Sequence, residues 1–262
     1  MKKGIDLSSH NGNINMSYVK SSGIEFIILR LGYRKNKNNI DKKFYENYNK
    51  AIQLGIPVGV YIYSYALNTS DALKEAKFVI DTVKNLKLEY PIFIDMEDAD
   101  NYKSKKNVNY STCIDICETF CNYIENCGYY VGIYANLDWL NNKINDSRLD
   151  KFDKWVAQWS KSCTYKKDFG MWQYSSKGSI LGINGNVDLN YALRDYPSII
   201  KNTKLNSLTS NNKFYIVQPG DNLTKIAKQY NTDWKAIYNM NREIIGDNPN
   251  RIKAGQKLII GN

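Results

Sequence analysis

Apolar stretches of strand length alternate with helical patterns along residues 4–189, and that alternation constrains the fold more than any other feature of the chain. Strand-like runs occupy residues 4–6, 24–31, 58–65, 91–97, 129–135, 154–159, 171–174 and 187–189. Helical patterns fall at 16–21, 42–54, 70–86, 111–126 and 137–142. Strands separated by helices pair in parallel, and eight of them point to a closed barrel. The fold class is therefore α/β, a TIM-like β/α barrel. Polar side chains recur at the C-terminal strand ends: Asp6, Arg30, Tyr63, Asp95 with Glu97, Tyr134, Gln158, Gln173 and Asp188. In such barrels the C-terminal strand ends carry the active site.

Within that set, Asp95 and Glu97 close the apolar run Tyr90, Pro91, Ile92, Phe93, Ile94. Side chains alternate along a strand, so the two carboxylates point to one side at the end of a buried segment. Two acids so placed raise each other's pKa, and one stays protonated while the other ionises. Hydrolysis of a glycosidic bond needs that division: an acid for the leaving oxygen and a charge for the developing cation. Taken alone, the same pair reads equally well as a strand end decorated with solvated acids.

Periodicity is lost over 198–213, where Asn, Ser, Thr and Lys dominate. That stretch reads as a flexible linker, long enough for the flanking units to move independently. The expected organisation is a barrel over 1–197, the linker, and a compact βααβ unit over 214–262: strand 214–218, helices 222–230 and 233–241, strand 257–260. The net charge of +10 is spread over both parts, with 28 basic and 22 acidic residues in 1–212 and 8 and 4 in 213–262. A basic coat of that kind concentrates a protein at an anionic cell envelope. No recognised nucleic-acid-reading motif accompanies it. No hydrophobic run approaches the ~20 residues that cross a bilayer. Met1, Lys2 and Lys3 are followed by polar residues instead of an apolar signal core, so synthesis in the cytoplasm is expected, with action at the wall after release. Cys113, Cys117 and Cys121 share a helical face, and the odd total of five argues for reduced thiols. With one His, His10, and no CxxC, neither metal nor cofactor is expected.

Four separated blocks carry a resemblance over residues 4–193: Gly4, Ile5, Asp6, Leu7, Ser8 with Asn11 and Gly12; Gly59, Val60, Tyr61, Ile62, Tyr63; Ile94, Asp95, Met96, Glu97; and Trp172, Gln173, Tyr174, Ser175 leading to Val187, Asp188, Leu189, Asn190. In this order they resemble the family 25 glycoside hydrolases, lysozymes that cut the β-1,4 bond after N-acetylmuramic acid. The resemblance implies a catalytic set of Glu97, Asp95, Asp6 and Asp188, with Glu97 the proton donor and a retaining outcome. Whether an Asp or the sugar's acetamido group attacks stays open. By the same resemblance Tyr61, Tyr63, Tyr134 and Trp172 are expected to contact sugar, and Arg34 a substrate carboxylate, although aromatics near a barrel mouth also simply pack.

The C-terminal unit resembles a LysM module through Tyr215, Val217, Pro219, Gly220, Asp221, Asn222, Leu223, Ile226, Ala227, Asn239, Gly255 and Leu258. Such modules bind N-acetylglucosamine-containing glycans, which implies contacts at Gly220, Asp221, Asn222, Leu223, Ile244, Ile245 and Gly246. Together the two resemblances imply an N-acetylmuramidase acting on bacterial peptidoglycan, in the manner of a phage endolysin anchored by LysM. A host autolysin is the alternative. A chitinase fits less well, because Phe93 and Pro91 stand where that family carries further Asp residues, and a catalytically inactive wall binder fails to explain four carboxylates.

Overall fold

The computed structural model describes residues 1–35, 37–206 and 213–261. Nine strands form its main sheet: β1 (Lys2–Leu7), β2 (Phe26–Arg34), β3 (Asn38–Ile40), β4 (Val58–Tyr63), β5 (Ile92–Asp95), β6 (Val131–Asn136), β7 (Asp153–Ala157), β8 (Met171–Gly178) and β9 (Val187–Ala192). The hydrogen-bonded order is β1-β9-β8-β7-β6-β5-β4-β2-β3, and a further β1–β2 pairing closes eight strands into a barrel, with β3 a short antiparallel flap on β2. All neighbours from β1 through β2 and β4 to β8 run parallel. β9 runs antiparallel to both β8 and β1, so the all-parallel barrel expected from the alternation is corrected at its last strand. No helix lies between β8 and β9, so nothing carries the chain back for a parallel return.

Helices α1 (Met16–Ser21), α2 (Phe44–Gln53), α3 (Thr69–Val83), α4 (Tyr102–Lys105), α5 (Tyr110–Asn126) and α6 (Tyr196–Thr203) complete the domain, with a π-helical turn at Trp139–Lys143. Period-two alternation sorts each strand into two faces. Ile27, Leu29, Val58, Val60, Ile92, Ile94, Val131, Ile133 and Val156 belong to one cluster with α1, α2, α3 and α5. Cys113, Cys117 and Cys121 lie on the buried face of α5 and are free thiols. The opposite faces send Phe26, Ile28, Phe93, Tyr134, Trp155 and Met171 into a second cluster. Glycines make room for these aromatics: a Cβ on Gly4 would sit 2.3 Å from the Phe26 ring, and one on Gly132 would sit 2.6 Å from Phe93.

The domain boundary expected at 197 lies too early. Residues 196–203 form α6, Tyr196 and Ile200 are buried in the inner cluster, and buried Asn206 bonds to Tyr130, Leu88 and Tyr90. The remainder of the expected linker, 207–212, lies outside the described residues. Beyond it, β10 (Lys213–Ile216) pairs antiparallel with β11 (Lys257–Gly261) around α7 (Leu223–Gln229), α8 (Trp234–Met240) and α9 (Arg242–Ile245). Its core holds Val217, Leu223, Ile226, Ile237, Ile245 and Leu258. Rather than standing apart, this unit touches the barrel. Tyr45 of α2 shares a hydrogen bond with Asn239 of α8, and Met240 and Ile259 are buried in the outer apolar cluster.

Candidate active site

At the C-terminal ends of the parallel strands a cavity of about 440 Å³ opens, lined by the inward-facing residues that follow the hydrophobic layers. Asp6, Asp95, Glu97 and Asp188 all line it, together with Tyr61, Tyr63 and Tyr134. Asp188 arrives there because β9 is antiparallel. It is the second residue of its strand and lies directly opposite Asp6 in the β1–β9 register. A like-charged cross-strand pair is destabilising unless a proton is shared. Burial, and then the Asp188 charge, push Asp6 up to about 7. Asp188 is itself raised by burial.

A hydrogen-bond chain fixes Asp6. The Trp155 indole donates to Asn190 Oδ1 at 2.8 Å, which turns the Asn190 amide so that Nδ2 donates to Asp6 Oδ2 at 2.8 Å. From the other side Tyr134 Oη and Trp159 Nε1 donate to Gln173 Oε1 at 3.1 and 3.0 Å, leaving Gln173 Nε2 to donate to Asp6 Oδ2 at 3.0 Å. With both amide orientations dictated by indole or phenol donors, Asp6 is held in one rotamer.

The acid pair of β5 is differently placed. Asp95 is buried, and its Oδ1 has no hydrogen-bond partner among the described residues. Burial and the neighbouring Glu97 charge hold its carboxyl well above the usual range. Glu97 is only partly covered, so its carboxyl is the one open to a ligand in the cavity. Burial raises it too, and Asp188 adds to the rise, against an opposing pull from Lys103. Two acids with raised pKa values in one cleft, one enclosed and one accessible, can hold a single proton between them and present it outward.

Beyond the pair the groove continues into a space of about 670 Å³ that shares Arg30, Tyr63 and Ala99 and adds His10, Tyr33, Tyr65 and Asp100. Arg30 is locked by an ion pair to buried Asp41 at 2.6 Å and a bond to Ser9 Oγ at 3.1 Å.

The sequence pattern of the family described as Glycosyl hydrolases family 25 matches residues 5–183 of this chain, more than half of its length. The chain belongs to that family. A LysM domain pattern matches residues 215–261. Among relatives, the autolytic lysozyme of Clostridium acetobutylicum is 27% identical over 192 residues, covering 71% of this chain and 54% of the relative. Lysozyme M1 of Streptomyces globisporus is 28% identical over 199 residues, covering 72% and 66%. The chain thus spans 54% and 66% of the lengths of the curated relatives it matches. Among solved structures, the modular autolysin LytC from Streptococcus pneumoniae, in complex with a synthetic peptidoglycan ligand, shares 32% identity at TM-score 0.66, over 72% of this chain and 46% of that one. The bacterial lysozyme from Streptomyces coelicolor shares 25% identity at TM-score 0.66, over 77% and 98%.

Two expected sugar-site residues of this family 25 chain fall elsewhere. Trp172 alternates with the inward-facing Met171 and Gln173, so it sits on the outer face, its indole donating to Gln158 O at 2.8 Å beside Tyr174 and Tyr191. The tryptophans at the cavity are Trp155, buried at its floor, and Trp159, 64% exposed at the rim. Arg34 lies past a register irregularity between Arg30 and Gly32 and does not line the cavity; Arg30 does. In the LysM unit, Gly220 and Gly246 occupy left-handed turn positions, with φ of 88° and 84°. Asp221 accepts from Tyr215 Oη and Gln218 N, and Asn222 caps α7 through Lys225 N. Leu223 and Ile245 are core side chains, so only their backbones are free for a ligand, whereas Ile244 is 39% exposed.

Proposed function

We propose that this cleft hydrolyses the β-1,4 bond between N-acetylmuramic acid and N-acetylglucosamine in bacterial peptidoglycan. The observation that carries the reading is the Asp95–Glu97 pair, enclosed and accessible respectively, at the open end of the barrel. Glu97 donates its proton to the glycosidic oxygen as the C1–O bond breaks, and the ionised partner supplies negative charge against the cation that develops at C1. Water then completes the product and returns a proton to Glu97. Asp6 and Asp188, bridged by one proton, hold charge and water at the neighbouring strand ends. The LysM unit raises the local concentration of the barrel on its insoluble substrate without taking part in the chemistry. Relatives named lysozyme and autolysin support the substrate class.

Digestion of purified peptidoglycan, followed by borohydride reduction, tests this. New reducing muramic acid ends are expected, and new reducing glucosamine ends would reassign the cut bond. A phage endolysin and a host autolysin would make the same cut, and the two differ in how the protein reaches the wall. Release of the protein by growing cells, with no phage induced, is the matching test.

The same geometry fixes the sign of the pH dependence. Activity needs one proton and one charge on the acid pair, so the profile is bell-shaped. Burial raises both carboxyls, so both limbs are displaced upward from the ordinary carboxylate range. Activity is therefore expected to persist into mildly acidic and near-neutral buffer and to fall as pH climbs through the upper step. A kcat profile centred near the ordinary carboxylate pKa of ~4 would contradict this.

A further inference from the structure

Beneath the acid pair lies a buried cation that neither the sequence pattern nor the proposed chemistry uses. Lys103 is 2% exposed, on the one-turn helix α4 that follows the β5 loop. The loop folds back because the Asp98 carboxylate accepts the backbone amides of Lys103 at 2.7 Å and Ser104 at 2.9 Å. That clamp points the Lys103 side chain inward, where Nζ donates to the carbonyls of Ser64 and, at 3.2 Å, of Glu97. Ser64 follows β4 and its amide donates to Asp95 O at 3.1 Å. The β4–β5 ladder thus ends at Asp95, and the ammonium ties the two chains where a further rung would fall. Its nitrogen is also 5.9 Å from the centre of the Tyr63 ring.

We infer that Lys103 is a positioning residue for the proposed reaction: it holds the Glu97 backbone against the end of β4 and supplies a buried positive charge that, with Arg30 across the cavity, balances the acid pair. The inference rests on the function proposed above. The groups facing it are Tyr63 and Ser64 at the end of β4, Glu75 from α3, Asp95 and Glu97 at the end of β5, Asp98 from the loop, and Cys113 and Cys117 from α5, with Arg30, Asp6 and Asp188 across the cavity. Glu75 is itself buried, accepting from Ser64 Oγ and Tyr65 N at 2.8 Å each. Three buried or half-buried carboxyls around one ammonium most stably carry one negative charge, which leaves the protons that an acid catalyst needs. Lys103 acts against the rise of Asp95, Glu97 and Glu75 alike.

The test is the pH–rate profile of the full chain on peptidoglycan for wild type, Lys103→Met and Lys103→Arg. Lys103→Met keeps the length and apolar stem and removes the charge. Both limbs should move to higher pH by about one unit or more, because every carboxyl loses a favourable neighbour. At the wild-type optimum kcat should fall by about 10²-fold, as expected when the acid's backbone loses its tie, with KM changed by less than about threefold. Lys103→Arg keeps the charge, and its limbs should stay at the wild-type positions even where kcat falls. If Lys103→Met does not fold by circular dichroism, Lys103→Met with Glu75→Gln removes an opposed buried charge and carries the same expectation. If that also fails, the Arg variant decides alone, and displaced limbs there overturn the inference. Unmoved limbs in a folded Met variant leave Lys103 as packing only. A wild type that releases no reducing ends overturns the proposed function instead, whereas an active wild type with unmoved variants overturns this inference alone.

Discussion

Glu97→Gln is expected to slow peptidoglycan cleavage by about 10²–10⁴-fold while leaving binding to the insoluble wall unchanged. The amide fills the same volume and still hydrogen-bonds, but it has no proton to give to a leaving oxygen. The LysM unit does not reach this cavity, since none of its residues lines it. Sedimentation with cell walls should therefore return wild-type binding, and the reducing-end assay should show the loss. Asp95→Asn is the informative companion. Asp95 is the more enclosed acid, with a free Oδ1, so the amide removes charge without opening space. Its rate should fall by a similar order, and the upper limb of the pH profile should simplify, because Glu97 no longer shares its proton with a neighbour. An active Glu97→Gln enzyme would move the acid to Asp6 or Asp188. An active Asp95→Asn enzyme would make the pair a structural one.

The placement of the two acids was legible because period two is the most robust signal a strand carries. Once 91–97 is a strand, Asp95 and Glu97 must share a side, and the structure places both at the same cavity. The same rule, applied consistently, would have found more. On β2 the inward positions are Phe26, Ile28 and Arg30, and from β7 onward they are Trp155, Ala157 and Trp159. On β8 they are Met171 and Gln173, so Trp172 belongs outside. Arg34 misleads because the irregularity after Arg30 breaks the count, and the isolated Gly32 inside the strand is the signal that could have marked it.

Other features were hidden for reasons of energetics. The antiparallel run of β9 follows from a missing helix, yet 179–186 reads simply as a loop whichever way the strand returns. Asp188 therefore reached the right place from a mistaken strand end. Helix α6 buries only Tyr196 and Ile200 of its eight residues, too few to register as an amphipathic pattern among Asn, Ser and Lys. Lys103 sits six residues beyond Glu97 in a polar stretch that any composition rule assigns to solvent. Its burial depends on Asp98 turning the chain, a contact visible only in three dimensions.

The underside of the barrel should be the most fragile part of the molecule, and Asp153→Ala is expected to cost about 3 kcal/mol of stability. Asp153 opens β7 at the end opposite the cavity and is buried. Its Oδ2 accepts from Tyr196 Oη at 2.8 Å, Tyr130 Oη at 3.1 Å and Arg194 Nε at 3.1 Å, and its Oδ1 accepts from Lys154 N at 2.8 Å. One carboxylate thereby ties β7 to the residues that lead into α6, which caps the barrel after its last strand. Removing it leaves the buried Tyr196 phenol, the half-buried Tyr130 phenol and a guanidinium without their shared acceptor. The Arg194 side chain, 30% exposed, can recover some solvation, which keeps the expected cost toward the lower end of the range for a broken buried pair. For a domain of this size the loss corresponds to a fall in Tm of roughly 6–12 °C. Asp168→Ala removes the other partner of Arg194, a side chain 84% exposed, and should leave Tm nearly unchanged. Because Asp153 lies a full strand length from Glu97, kcat and KM measured well below the transition should match wild type in both variants. A Tm for Asp153→Ala within about 2 °C of wild type would show that α6 is held by the apolar contacts of Tyr196 and Ile200 alone.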